Sequence, residues 1–373
     1  MLQKYGKYDY RVQLMRIFAC FIVIGCHVRM DPVIGGGLDK ELLLLHGFFD
    51  DGVAIFFMII GFFLPAVREP FWKSTGKTFA RILIPVLLLK LFIPILGGPL
   101  LHAVPSPEGL SPAEILGQFL TLNFLEGSYC THLWYITSYL RIIILFPLLK
   151  LLTLDHPLSR KACGWILALN ITGMVVTDLQ VLFPSPLGTI GTFTIFDAPV
   201  TYVILGYVLY KNQHLFQENK KYRFLLPAGM IGVNILRFLL QCVLFREGFE
   251  NTHFYFWNTT VSLLFSVCFV CFFLTFPRDL FFSGAKIINY IGTKTYFIYL
   301  IHIVMYTHLD YCYGIKNRIY EITIGAVPNL LTKAGYDILY PALVFVCCLL
   351  AAAAIDCAKI PFRLLLHRPE AEK

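Results

Sequence analysis

Charge is scarce in this 373-residue chain. Only 14% of its residues are Asp, Glu, Lys or Arg, against about 25% in an ordinary soluble domain. No stretch is polar enough and long enough to form a separate soluble domain, so residues 1–373 read as one polytopic unit. No internal repeat is visible. No GxxxxGK[ST] sequence occurs, and the glycine-rich "VIGGGL" at 33–38 has no strand before it, so it reads as a flexible connection and not a phosphate loop. Neither HExxH-like nor CxxC…CxxC spacing is present, so no metal site is assigned. The eleven cysteines lie mostly inside apolar runs, where cysteine behaves as a small hydrophobe. Cys130 and Cys312 are the ones expected on an oxidising side. The basic N-terminus precedes about twenty apolar residues, longer than a signal-peptide core, and no small-residue cleavage site follows.

What the chain has in abundance is apolar surface. Hydrophobic residues make up 57% of it, with 34 phenylalanines and 20 tyrosines, and the mean hydropathy is +0.69. A hydrocarbon core takes roughly twenty apolar residues per helix. Candidate spans run over 12–31, 47–67, 79–100, 133–153, 163–182, 193–210, 224–245, 257–276, 287–308 and 339–361, which predicts an all-α bundle of about ten transmembrane helices. Basic clusters test that count. Lys4, Lys7 and Arg11 precede the first span, Arg68, Lys73 and Lys77 follow the second, and Lys150, Arg160 and Lys161 follow the fourth. The pattern continues through Lys220, Arg278 and Arg363, and the positive-inside rule then puts both termini in the cytoplasm. The net charge of +8 reflects these scattered clusters and does not suggest nucleic acid. In the long outer loop 101–132, "SPAEILGQFLTLNFL" reads as a short interfacial helix with Ser111 as N-cap and Pro112 at its first position.

Ionisable residues inside apolar runs are costly and tend to face the bundle interior. Arg16 and His27 lie in the first span, eleven positions apart. That is close to three helical turns, so they share a face about 16 Å apart. Arg16 falls at the inner end and His27 at the outer end. The topology brings His132 and His302 to the same outer depth. Histidine titrates near neutrality and suits general-base work. Three histidines would also suit zinc, though no spacing supports that reading. Asp50 and Asp51 open the second span, where a carboxylate would orient the His27 ring and stabilise its charged form. Arg81, Lys90, Arg141 and Arg237 are further cations at or within spans. With Arg16 they line a path for an anion from the cytoplasm, since guanidinium pairs well with phosphate. Pairing with Asp178, Asp197 or helix carbonyls is the alternative for some of them.

Taken in order, these segments resemble the acyltransferase 3 family of integral membrane acyltransferases. "YRVQLMRIFACFIVIGCHV" resembles its opening helix, with Arg16 and His27. "GVAIFFMIIGFFL" is similar to its G-V-x-x-F-F-x-x-S-G-F-x-L stretch, "KTFARILIPVLLL" to its basic entry to the third span, "HLWYITSYLRIIILFPLL" to its H-L-W-[FY] segment, and "IGTKTYFIYLIH" to its late tyrosine-rich segment ending in His302. Ile60 and Thr295 stand where the family has Ser, and Asp50 and Asp51 where Gly is frequent. The resemblance implies transfer of an acyl group, often acetyl, from cytoplasmic acyl-CoA to a hydroxyl of an extracytoplasmic glycan or lipid-linked sugar. It also implies a bacterial plasma membrane. His27 would act as general base or carry the acyl group transiently, with His302 or His132 stabilising the oxyanion or positioning the sugar. A transporter of a surface polysaccharide or small acid is the main alternative. It would be expected to show repeats and paired broken helices, which are not evident. A receptor is a third reading, but no output domain supports it.

Overall fold

The computed structural model describes residues 9–34, 37–66, 71–96, 131–183, 197–246, 253–277, 284–325 and 327–366. Helix α1, Tyr10–Val28, begins at Asp9, whose side chain accepts from the Arg11 N–H. A helix start leaves its first N–H groups without intrahelical partners, and a capping carboxylate satisfies one of them. Residues 33–38, expected to be a flexible connection, instead carry two short strands. β1, Val33–Ile34, pairs antiparallel with β2, Gly37–Leu38. Then follow α2, Lys40–His46, and the wholly apolar α3, Gly52–Phe63.

Next come α4, Phe71–Leu96, and α5, Trp134–Leu151, the latter entered through a 3-10 turn over Thr131–Leu133. Helix α6, Pro157–Leu182, has proline at its start, where the missing N–H costs nothing. Beyond it lie α7, Ala198–Lys211, the single turn α8, His214–Gln217, and α9, Tyr222–Arg246. Helix α10, Thr260–Leu274, is capped by Thr259. Helix α11, Ala285–Tyr313, stops at Gly314, a left-handed residue with φ 58°. Helices α12, Ile315–Thr323, and α13, Leu330–Leu366, complete the described chain. The interfacial helix expected at 111–125 lies outside the described residues, as does Cys130.

Among the described residues six helical segments are long and apolar enough to cross a membrane. They are α1, α5, α6, Tyr222–Phe245 in α9, His253–Leu274 including α10, and Leu330–Ala358 in α13. α3 and α7, with 12 and 14 residues, are shorter than a usual crossing. Helix α1 is central and packs against α3, α10, α11 and α13. The outward faces of α6 and α9 carry Trp165, Phe224 and Leu239 as exposed side chains, as expected where lipid is the solvent. No disulfide joins the described cysteines.

Lys333 bonds Asp39 at 2.6 Å and Glu41 at 2.8 Å, tying the start of α13 to α2. Burial alone would raise the Asp39 pKa. The Lys333 ammonium and the N–H groups of Leu42 and Glu41 outweigh it and hold the carboxyl below its ordinary value.

Helices α3 and α7 cross with their backbones in close approach. A Cβ on Gly61 would lie 2.0 Å from the Val203 carbonyl oxygen, and one on Gly206 would lie 2.1 Å from that of Met58. Glycines let two backbones touch in a membrane, where hydrophobic drive between helices is weak. The opposing atoms are backbone and cannot rotate away. Gly206→Ala is therefore expected to destabilise the bundle by about 1–3 kcal/mol or more. A lower melting temperature in detergent, read by size-exclusion profile, checks this.

Candidate active site

His27 occupies the last turn of α1 and is exposed. It faces a cavity of about 1360 Å³ whose wall also includes Arg29, Asp50, Trp134, Tyr255 and Trp257. The His302 ring lies 5.2 Å from that of His27, and the His132 ring lies 5.2 Å from that of His302. Three histidines distant in sequence thus form one chain of rings, and only the first opens to the cavity. Among the described residues no three His, Cys, Asp or Glu side chains are arranged to hold a metal ion.

The two buried rings have fixed tautomers. His302 Nδ1–H donates to the Tyr299 carbonyl at 2.6 Å, and His132 Nε2–H donates to the Leu300 carbonyl at 3.3 Å. A carbonyl can only accept, so the remaining nitrogen of each neutral ring carries a lone pair. Both of those nitrogens, His302 Nε2 and His132 Nδ1, are buried and without a hydrogen-bond partner among the described residues. Tyr299 holds both ends together, because its hydroxyl donates to the His132 carbonyl. His46 also lines the cavity but is occupied otherwise. Its Nε2–H donates to the Met30 carbonyl at 2.5 Å. Burial, and then the nearby Arg29 charge, pushes its pKa down to about 3.

The carboxylates expected to orient His27 have other partners. Asp50 accepts from Arg29 at 2.6 Å, and Arg237 stands 3.9 Å from its second oxygen. Asp51 is held by both oxygens on Arg237 Nη2, at 2.9 and 2.8 Å, and accepts from the Ser262 hydroxyl. Neither aspartate hydrogen-bonds His27. The physical reason is charge balance: a buried carboxylate takes the nearest cation, and two arginines stand closer. Arg237 was open to pairing with Asp178 or Asp197. Instead Asp178 binds His253 at 2.8 Å, and Asp197 stands at the start of α7. The Asp51–Arg237 pairing had one signal in the sequence, opposite charges within apolar runs, but no spacing that could match them.

At the other end of the α1 face, Arg16 lies 5.4 Å from the centre of the Phe63 ring and 3.5 Å from Gln13 Oε1. Among the described residues it has no carboxylate partner. Tyr135 and Tyr139 stand beside it. From there an aromatic column runs to the histidines. Tyr139 stacks on Tyr135 at 6.1 Å, Tyr135 meets Tyr299 at 5.3 Å, and Tyr299 stands 5.7 Å from His302.

The other expected cations differ in exposure. Arg141 is exposed, because it lies two residues past Tyr139 and so points to the opposite side of α5. Arg81 is exposed and Lys90 buried. Nine residues apart on α4, they face opposite ways. The helix carrying them does touch the site, since the Tyr296 hydroxyl donates to the Ile82 carbonyl at 2.6 Å.

A family model described as an acyltransferase domain matches residues 9–355. The chain belongs to the acyltransferase 3 family. With its apolar helices, this makes it a membrane acyltransferase. Comparisons with curated proteins and with solved structures each returned no match. Two segments that carry the acyltransferase 3 resemblance, His132–Tyr135 and Tyr296–His302, pack directly on each other through the His132–His302 and Tyr135–Tyr299 contacts. Both converge on the histidine at the end of the opening helix.

Proposed function

We propose that this protein transfers an acyl group, by default acetyl, from cytoplasmic acyl-CoA to a hydroxyl of an extracytoplasmic glycan or lipid-linked sugar. The setting is a bacterial plasma membrane, with about ten spans and both termini cytoplasmic, as the basic loop clusters suggest. The observation that carries the reading is His27, exposed to the cavity and backed by two buried histidines whose lone pairs are unused.

In the base mechanism, His27 takes the proton of the acceptor hydroxyl as that oxygen attacks the thioester carbonyl. The C–S bond breaks, and the CoA thiolate takes the proton back from the imidazolium. His302 Nε2, unpartnered on a ring 5.2 Å from that of His27, would accept the N–H of His27 once the two rings close on each other. That would leave the other His27 nitrogen as the base, much as a second group orients the base in a triad. Direct attack by His27 to form an acyl-imidazole is the other route. Arg16 meets the donor. Its guanidinium, without a carboxylate partner among the described residues, suits the CoA phosphates.

The test is turnover of labelled acetyl-CoA by the full chain in nanodiscs with cell-envelope glycan as acceptor. A hydrogen bond to a charged group contributes about 1.5–3 kcal/mol, or roughly 10–100-fold. Arg16→Ala is therefore expected to raise the KM for acetyl-CoA by about that factor. Flux of a surface saccharide with no acyl-CoA present and no label transferred would overturn the reading in favour of transport.

A further inference from the structure

The His27 cavity is unevenly lined. The end of α1 and the residues between it and α3 bring polar groups to the lining, Cys26, His27, Arg29 and Asp50, among apolar neighbours such as Val23 and Phe49. The part contributed by α9 carries no charged side chain: Phe238, Leu239, Cys242 and Phe245. Leu239 is 54% exposed on the outward face of that helix. Phe256, also in the lining, is 53% exposed. Leu239 lies seven residues from the end of a helix long enough to cross a bilayer, so its exposure at that depth is to lipid. The cavity therefore has a side that opens among acyl chains as well as a polar end at His27. Trp134 and Trp257, stacked at 5.1 Å and 19° from parallel, add flat aromatic faces to the lining.

The geometry points to an acceptor that enters sideways from the outer leaflet. Such an acceptor is a hydrocarbon-anchored sugar whose chain lies along Phe238, Leu239 and Phe245 while its hydroxyl-bearing head reaches His27. A water-soluble polymer would have no use for an apolar wall open to lipid. A lipid-linked sugar would bury its chain there and gain about 25 cal/mol for each Å² covered. Lys40, exposed in the lining and without a partner among the described residues, stands where an anionic linkage such as a phosphate would meet it. This inference rests on the acyltransferase reading for its chemistry, but not for its binding geometry.

The experiment separates the two. The full chain in nanodiscs is photolabelled with a dodecyl glucoside carrying a diazirine at the chain end, and labelled peptides are mapped. Adducts concentrated on 238–245, competed by a polyprenyl-phosphate-linked sugar and reduced about tenfold in Leu239→Trp, are the expected result. Leu239→Gln serves where tryptophan disturbs the helix. Labelling spread evenly over the lipid-facing helices, or unchanged by competitor, overturns the inference. Acyl transfer is then compared between that lipid-linked sugar and the same sugar without its lipid. Preference for the soluble sugar also overturns the inference and leaves the acyltransferase reading standing. Specific labelling of 238–245 without transfer of label from acetyl-CoA to either sugar would support the binding geometry and count against the acyltransferase reading.

Discussion

His27→Ala is expected to lower acyl transfer by about 10²–10⁴-fold, the usual contribution of a positioned general acid–base group. Protein yield and thermal stability should stay close to wild type, because the ring is exposed to the cavity and fills no core. His302→Ala offers the contrast. Its ring is fully buried and bonded to Tyr299, so removal is expected to lower both activity and stability. Label transfer from acetyl-CoA, normalised to folded protein, distinguishes the two. Full activity in His27→Ala would remove the base and the acyl-imidazole routes together, since both need that ring.

Breaking the pair between Arg237 and Asp51 is expected to have the largest effect on folding. Both side chains are fully buried and joined by two hydrogen bonds of 2.9 and 2.8 Å. Arg237 also donates to the Gly47 carbonyl and lies over the Phe265 ring at 5.6 Å. Arg237→Met strands a carboxylate in an apolar interior, and removing one partner of such a pair costs about 3–5 kcal/mol. Adding Asp51→Leu removes the stranded charge and is expected to recover most of that loss. Melting temperatures of the two single variants and the double variant in detergent measure the coupling. Additive effects would show that the pair contributes little. The functional consequence follows from position. The Asp50–Asp51 dipeptide joins Arg29, two residues past His27, to α9 and α10. Loss of the network would shift His27 even in molecules that fold.

Some of this was legible from the chain alone. Apolar runs of membrane length placed α1, α5, α6 and α9 close to where they lie, because a helix in lipid must satisfy its own backbone and little else competes with that rule. The boundaries of α11 and α13 were less legible. Both run beyond the spans expected at 287–308 and 339–361, α11 to Tyr313 and α13 from Leu330, and α11 ends only where Gly314 takes the left-handed conformation. The pairing of β1 with β2 had no signal in a glycine-rich stretch, which is compatible with many backbone conformations.

For the site, the sequence determined depth and, within one helix, direction. Arg16 and His27 share a face of α1 because the helical period alone fixes that. Depth also placed His132 and His302 level with His27. Which neighbours they met was a matter for the tertiary structure, since rotation of each helix about its axis depends on packing and not on hydropathy. Packing brought the three rings into one chain, turned Arg141 and Arg81 outward, and gave Asp50 and Asp51 to arginines. The reason is the low dielectric of the interior. There each buried charge takes whichever partner the helix crossings bring within reach, and close crossings such as that of Gly61 and Gly206 are set by shape, which no single stretch of sequence contains.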